Sequence, residues 1–195
     1  MKFVGVILAG GESKRFGPPK AFAEKEEKAF YMYSMEALKP YVSQLLIVTS
    51  SELEPIFFNE NLPAEIIRDV DKFRKQGPLG GIYTAMDQYV GEWYMVIPID
   101  VPFIERKIMA TLMKNIEPHI DAVIPVVSGK IQPLISIFHY NVKSKIKRNL
   151  NNNRRSVQKL LDVCMVKYVP IDEAELFVNI NSQVDYQKYI EKSKD

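Results

Sequence analysis

The chain has 195 residues, 47% of them hydrophobic, and a formal net charge of +2, which suits one domain with a full core and gives no strong field pointing to nucleic acid. A lone cysteine, Cys164, excludes an internal disulfide framework; it lies in the apolar run Val163–Val169, where a buried, inert thiol is expected. The two histidines, His119 and His139, belong to no metal-ligand spacing, and the Val4–Ala9 run is too short for a signal-peptide core or a membrane span, so a soluble cytoplasmic protein with no nucleic-acid or membrane partner is expected.

Phe3–Ala9 reads as a buried strand that stops at Gly10-Gly11. Ser13, Lys14, Arg15 and Lys20 follow in one short loop. A buried strand that breaks into a glycine-rich, cationic loop is a phosphate-binding arrangement, because glycines let backbone N–H groups approach an anion and the cations neutralise it. Two common phosphate motifs do not fit. Gly17 is followed by Pro18 and Pro19, where a Walker loop has Lys, and Gly10 and Gly11 are adjacent, which breaks the G-x-G-x-x-G spacing. The prolines fix φ and disfavour a helix before Lys20, so an extended loop that wraps a ligand is predicted.

Further along, Phe30–Leu38 has apolar residues at helical spacing, Leu45–Thr49 reads as a second buried strand and Ser51–Phe58 as a short helix. Ala64–Arg68 is predicted as a strand, Leu79–Tyr89 as a helix entered through Gly77-Pro78, Trp93–Ile97 as a strand, Glu105–Asn115 as a helix and Ala122–Val126 as a strand. Runs such as LLIV and AVIPV lack polar alternation, which suits strands covered on both faces. The predicted class is therefore α/β, a Rossmann-like three-layer α/β/α arrangement with a mostly parallel sheet.

After about residue 128 the pattern changes. Gln132-Pro133-Leu134 leads into the apolar Ile135–Phe138, and helical segments follow at Tyr140–Leu150 and Ser156–Asp162. Strands are predicted near Val163–Val169 and at Phe177–Ile180, and a capping box, Ser182–Asp185, opens a last helix, Val184–Lys192. Asn149–Arg155 is polar and reads as a mobile loop, either a solvated connector or an anion-binding segment through Arg154 and Arg155. A single domain, 1–195, is expected, with a nucleotide-binding half (1–127) and an acceptor-binding half (128–195).

Ligands of open α/β sheets bind beyond the carboxyl ends of the strands, so those ends locate the candidate site. The first gives the glycine-rich loop. The second, Thr49-Ser50-Ser51, carries little by itself. The third is followed by Asp69 and Asp71 and then by Gln76-Gly77-Pro78-Leu79-Gly80-Gly81, a segment able to bring backbone groups against a planar base. The fourth places Asp100 just past an apolar strand. Alone, Asp100 reads as a turn residue or cap before Pro102; beside a phosphate loop it reads as a Mg²⁺ ligand, since Mg²⁺ takes few carboxylates and completes its shell with phosphate oxygens.

These residues carry a resemblance. Leu8-Ala9-Gly10-Gly11-x-Ser13-x-Arg15-x-Gly17-x-x-Lys20 is similar to the signature loop of nucleotidylyltransferases with a nucleotide-diphospho-sugar transferase fold. With Asp69 and GPLGGI, Asp100-x-Pro102-Phe103, QPLISIFH, Arg154-Arg155 and Phe177–Ser182, the chain most resembles the molybdenum cofactor guanylyltransferases, over nearly its whole length. The resemblance implies transfer of GMP from GTP to molybdopterin with release of pyrophosphate. It implies guanine contacts from Leu8, Ala9 and Gly10, with Gly11, Gly77, Pro78 and Leu79 around the nucleotide. Lys20, helped by Arg15, would stabilise the α-phosphate, Asp100 would hold Mg²⁺, and Asp69 (with Asp71 as competitor) would lie by the ribose or base. Asn179, Asn181 and Arg154 or Arg155 would serve the pterin side.

Two departures stand out: Ile99 precedes the metal carboxylate where the family often has a small residue, and Thr49 replaces a base-contacting Asn of some members. The acceptor phosphate is itself an anion near neutral pH, so no Ser, Cys or His nucleophile is required. Transient contact with proteins that supply or receive the cofactor is a further implication. Cytidylyl transfer to molybdopterin, transfer to another sugar or alcohol phosphate, and a non-catalytic nucleotide sensor are the rival readings.

Overall fold

Phe3–Leu8 (β1) is the central strand, with Val4, Val6 and Ile7 fully buried. The computed structural model describes residues 1–10, 16–17 and 19–191; the predicted loop residues Gly11, Ser13, Lys14 and Arg15 lie outside them. A short hairpin of Glu24–Lys25 (β2) and Lys28–Ala29 (β3) feeds Phe30–Leu38 (α1). Its turn sets Glu26 at φ 52° and Glu27 at φ 63°, positions where Asn and Gly are usual, which is why the sequence does not announce it.

Gln44–Thr49 (β4), Glu54–Asn59 (α2), Glu65–Arg68 (β5), Pro78–Gln88 (α3), Trp93–Pro98 (β6), Arg106–Lys114 (α4) and Ala122–Val127 (β7) follow close to their predicted positions. Lys130–Ile131 (β8), Ser136–His139 (β9), Val142–Asn151 (α5), Val157–Leu161 (α6), Val166–Ile171 (β10) and Gln183–Tyr186 (α7) complete the chain.

One mixed sheet runs in the order β10-β7-β9-β6-β1-β4-β5, with β8 paired to β7. β1, β4, β5 and β6 are mutually parallel, and β10 is parallel to β7. β9 is antiparallel to both β6 and β7, so β7 runs in the same direction as β6. All the long strands except β9 therefore end on one edge of the sheet.

Side chains alternate between two apolar layers. Ile7, Trp93, Met95 and Ile97 face α1 and α4, joining Met35, Leu38, Ile108 and Leu112. Val4, Val6, Tyr94 and Val96 face α3, α5 and α6, joining Leu79, Ile82, Ile146 and Leu160. With both faces covered, no strand needs a polar face. This is the three-layer α/β/α architecture the sequence predicts. Among the described residues, no helix is long and apolar enough to cross a membrane.

The second half departs from expectation in several places. Phe177–Ile180 is not a strand: a 3₁₀ turn, Ala174–Phe177, is followed by extended chain that crosses the sheet edge. The Ile180 N–H donates to the Asp100 carbonyl at 2.8 Å, so this segment is pinned to the end of β6 and adds nothing to the ladder. The strand predicted at Val163–Val169 lies instead at Val166–Ile171, because Val163 and Cys164 donate to Leu160 and Leu161 and close α6. The polar stretch Asn149–Arg155 begins inside α5, with Asn149 buried, and only Asn152–Arg155 forms a connector. The Ser182–Asp185 capping box is present, but regular α-helix stops at Tyr186 and gives way to a π turn, Gln187–Glu191.

Candidate active site

The ends of β1, β4, β5 and β6 surround a cleft of about 310 Å³. Leu8, Gly10, Lys20, Asp69, Gly77, Pro78, Asp100 and Asn181, all predicted site residues, line it. Val48, Lys75, Gly81, Pro98, Ile99 and Leu134 complete the wall. A larger groove of about 750 Å³ lies between α1 and residues 102–106. Lys25, Glu36 and Glu105 on that groove are paired with Glu26, Lys28 and Lys107, so it lacks the convergence of charged groups that marks the smaller cleft.

The Lys20–Asp100 end of the cleft is assembled from three distant segments. The 3₁₀ turn Lys20–Phe22 carries the Lys20 side chain, which is only 11% exposed. Its ammonium lies 3.4 Å from Asp100 Oδ2 and donates to Asn181 Oδ1 at 3.0 Å. Asp100 is fixed through its neighbours, since the Ile99 N–H donates to the Leu8 carbonyl and the Asp100 carbonyl accepts from Ile180. The Asn181 N–H donates to the Asp185 carboxylate at 2.9 Å. That carboxylate, held below the usual range by the Ser182 hydroxyl and by backbone N–H groups, is the reciprocal member of the α7 capping box. A helix cap thereby aims a site residue. Burial pushes the Asp100 carboxyl up, against the pull of Lys20.

The other end is built by β5 and the start of α3. Asp69 follows β5, and the buried Thr84 hydroxyl ties the two elements together by accepting from the Val70 N–H at 3.0 Å and donating to the Gly80 carbonyl at 2.9 Å. Asp69 Oδ1 is buried and makes no hydrogen bond. Burial lifts this carboxyl to about 6, with Arg74 pulling the other way. Asp71 pairs with Arg74 on the surface and does not line the cleft. Of the two aspartates, the structure brings only Asp69 to the site.

Gly77, at φ 71° and ψ −162°, starts α3 in a conformation essentially reserved for glycine. A Cβ on Gly80 would stand 2.8 Å from the Phe73 carbonyl oxygen, so only glycine lets the first turn of α3 approach the 71–76 segment. At Gly10 a Cβ would meet nothing closer than 3.7 Å.

The remaining predicted residues sit elsewhere. Ala9 is buried in the core with its N–H donating to Val48, Leu79 is fully buried against the sheet, and Asn179 is exposed; none of these three lines the cleft. Arg154 and Arg155 are exposed. The Lys143–Asp87 ion pair at 3.0 Å sets the start of α5 beside the end of α3. Neither Arg154 nor Arg155 lines the cleft. Sequence reasoning missed Lys75, Leu134 and Thr84. Lys75, beside Arg74, reads in the sequence as a solvated cation, Leu134 lies in the Gln132-Pro133-Leu134 segment that opens an apolar run, and a buried threonine inside a helix carries no sequence signal.

Among the described residues, no group of three or more His, Cys, Asp or Glu side chains gathers as a metal cage. Burial pushes the half-buried Cys164 thiol up to about 11, which keeps it protonated and poor as a nucleophile. The site thus offers cations, carboxylates and amide oxygens converging on a sheet edge, a set suited to positioning a polyphosphate and stabilising charge on it.

A MobA-like NTP transferase domain matches residues 5–168. The chain belongs to this family. It is 35% identical over 192 residues to a probable molybdenum cofactor guanylyltransferase of Bacillus licheniformis, covering 96% of each chain. The fold matches that of molybdopterin-guanine dinucleotide biosynthesis protein A from Archaeoglobus fulgidus, with a TM-score of 0.82, 23% identity and 98% of each chain covered. It also matches Rv0371c of Mycobacterium tuberculosis in complex with manganese, with a TM-score of 0.76, 14% identity, and 98% of this chain and 99% of that one covered. This MobA-like chain is therefore a nucleotidyltransferase of molybdenum cofactor biosynthesis, and the cleft lies where such a sheet binds its ligand.

Proposed function

We propose that this nucleotidyltransferase binds GTP in the 310 Å³ cleft and transfers GMP to the phosphate of molybdopterin, releasing pyrophosphate. The observation that carries this reading is the convergence of Lys20, Asp100 and Asn181 at one end of the cleft that Asp69, Gly77 and Pro78 line at the other. The guanylyltransferase name of a relative that is 35% identical over nearly the full chain supports the choice of GTP and molybdopterin.

The donor set fits a hard divalent cation. Asp100 and the Asn181 carboxamide both present oxygens to one point, which the Lys20 ammonium now approaches. Mg²⁺ needs few carboxylates and draws its other oxygens from phosphates and water. When bound, it supplies charge neutralisation on the triphosphate. Lys20 holds the α- and β-phosphate oxygens and offsets the negative charge that grows as the pyrophosphate leaves. Arg15, outside the described residues, is assigned to the same charge. Asp69 orients the nucleoside, and the backbone of Leu8 and Gly10 and of Gly77 and Pro78 frames the base. Asn181, Arg154 and Arg155 serve the acceptor, so residues 1–127 provide most of the nucleotide site and residues 128–195 the acceptor side. The acceptor phosphate oxygen forms the new P–O bond as the bond to the β-phosphate oxygen breaks. Proton transfer to a side chain is not needed, in keeping with a protonated Cys164 and the absence of both histidines from the cleft lining. Transient contact with cofactor-supplying or cofactor-receiving proteins and a cytoplasmic setting accompany this role.

Calorimetric titration with GTP, CTP, ATP and UTP, each with and without Mg²⁺, tests the reading, followed by turnover with molybdopterin. The expected result is Mg²⁺-assisted selection of GTP that Lys20→Ala weakens. Preference for CTP would assign the cytidylyl reaction in its place.

A further inference from the structure

We infer that Lys75 is a specificity-determining residue of the cleft, donating to the O6 edge of a guanine whose N1–H and N2–H groups face Asp69. The inference rests on the cleft being a GTP site.

Lys75 lines the same cleft as Asp69, Gly77, Pro78 and Gly81. Asp100 follows β6 and Asp69 follows β5, three strand positions apart in the sheet, or roughly 14 Å at the usual inter-strand spacing. Lys20 occupies the Asp100 end through its contacts with Asp100 and Asn181. A second cation in the segment that joins Asp69 to α3 therefore stands at the nucleoside end, away from the site of phosphoryl transfer. Glu52, just past β4, is held below the usual carboxylate range first by the Ser50 hydroxyl, with Lys75 a lesser contributor.

Its backbone is also unusual. Lys75 sits at φ 60°, the left-handed region, which long side chains seldom adopt and which concentrates at ligand-binding positions. The conformation directs the 74–77 turn so that Lys75, Gly77 and Pro78 all line the cleft while Arg74 turns outward to Asp71.

The chemistry of the pair selects a base. An ammonium only donates, and a carboxylate only accepts when ionised. Asp69 Oδ1 is buried without a hydrogen-bond partner, an acceptor left for a ligand. Guanine presents two adjacent donors, N1–H and the N2 amine, next to the O6 acceptor. Adenine and cytosine each place a ring-nitrogen acceptor beside their one amine, which would oppose the carboxylate, and uracil offers one donor where guanine offers two. Recognition of guanine O6 by a basic side chain is a common pairing in nucleic-acid readout.

The test compares GTP with 6-thio-GTP, in which the O6 acceptor is replaced by sulfur and the N1–H and N2 amine are kept. Wild type and Lys75→Gly are titrated with both, with Mg²⁺ present; glycine accepts the positive φ, and a thermal melt checks that the variant is folded. The wild type is expected to bind GTP about tenfold or more tightly than 6-thio-GTP, as for a hydrogen bond to a charged donor. Lys75→Gly is expected to bind the two alike, and Lys75→Arg to restore the preference. An equal loss of affinity for both nucleotides in Lys75→Gly would show that Lys75 grips phosphate or ribose and would overturn the proposal. A preference for GTP unchanged by Lys75→Gly would overturn it as well. If the wild type itself does not select GTP over CTP, the GTP reading of the cleft fails first, independently of Lys75.

Discussion

The two sides of the cleft are made differently. On the nucleotide side, the chain leaves buried parallel strands and is held at once by hydrogen bonds: Ala9 to Val48, Ile99 to Leu8, and Thr84 between Val70 and Gly80. On the side proposed for the acceptor stand Asn181, aimed by a helix cap, and, in the proposal, the exposed arginines that follow α5. From residue 140 to 161 the chain carries seven Lys and Arg and no Asp or Glu, in a protein with a net charge of only +2. Two of these cations are bound to Asp87 and Asp121, while Arg154 and Arg155 are exposed. In the proposed reading one side recognises by rigid placement of buried groups and the other by a field at the surface. Placement is intolerant of single changes, whereas a field is graded and screened by salt.

That contrast predicts a descending series of effects. Asp100→Ala is expected to abolish metal-dependent turnover, and Lys20→Ala to lower kcat by about 10²- to 10³-fold, as for loss of one charge-stabilising contact; pyrophosphate release measures both. Near-normal turnover from either variant would break the assignment of the phosphate end. Asn181→Ala should cost about tenfold in kcat/KM, the scale of one hydrogen bond to a charged group, whereas Asn179→Ala should have little effect if its exposed position in the free protein persists in the complex. Equal damage from both would mean that the acceptor draws Asn179 inward.

Charge reversal at Arg154 and Arg155 should raise KM for molybdopterin several-fold (about 1 kcal/mol), leave GTP affinity unchanged and flatten the salt dependence of the rate. A salt dependence identical to wild type would place recognition elsewhere on the rim.

The smallest effect concerns stability. Folding raises the Asp69 carboxyl to about 6 from its ordinary 3.8, so the folded state binds that proton more tightly than the unfolded one. The ionised carboxylate therefore penalises folding, with no penalty below the unfolded pKa, growth between pH 4 and 6, and a full penalty above 6. Asp69→Asn should raise the Tm at pH 8 and leave it nearly unchanged at pH 4, while weakening GTP binding. A variant less stable at pH 8 would show that Asp69 has a structural partner in the free protein.

Much of this was legible from residue order alone. Apolar runs without alternation announced covered parallel strands, and the position of Asp69 and Asp100 just past two of them placed both on the ligand edge. Ser182 and Asp185, three residues apart, announced a helix start that the structure contains. The same spacing could not tell that Asp185 also positions Asn181.

Local pattern located most of the long strands, because burial of both strand faces is a short-range requirement. Tertiary structure alone decided the rest. β9 inserts antiparallel between β6 and β7, which an apolar tetrapeptide cannot specify since its direction depends on its neighbours. Phe177–Ile180 has the composition of a strand but crosses the sheet edge, because the Asp100 carbonyl takes the N–H of Ile180 that a ladder would use. In sequence Asp71 is a close competitor of Asp69; the structure pairs Asp71 with Arg74 at the surface and leaves Asp69 in the cleft. Lys75 reads as a solvated cation until a left-handed backbone turns it into the wall. Each of these outcomes was set by contacts between residues far apart in the chain or by a backbone conformation that composition does not encode.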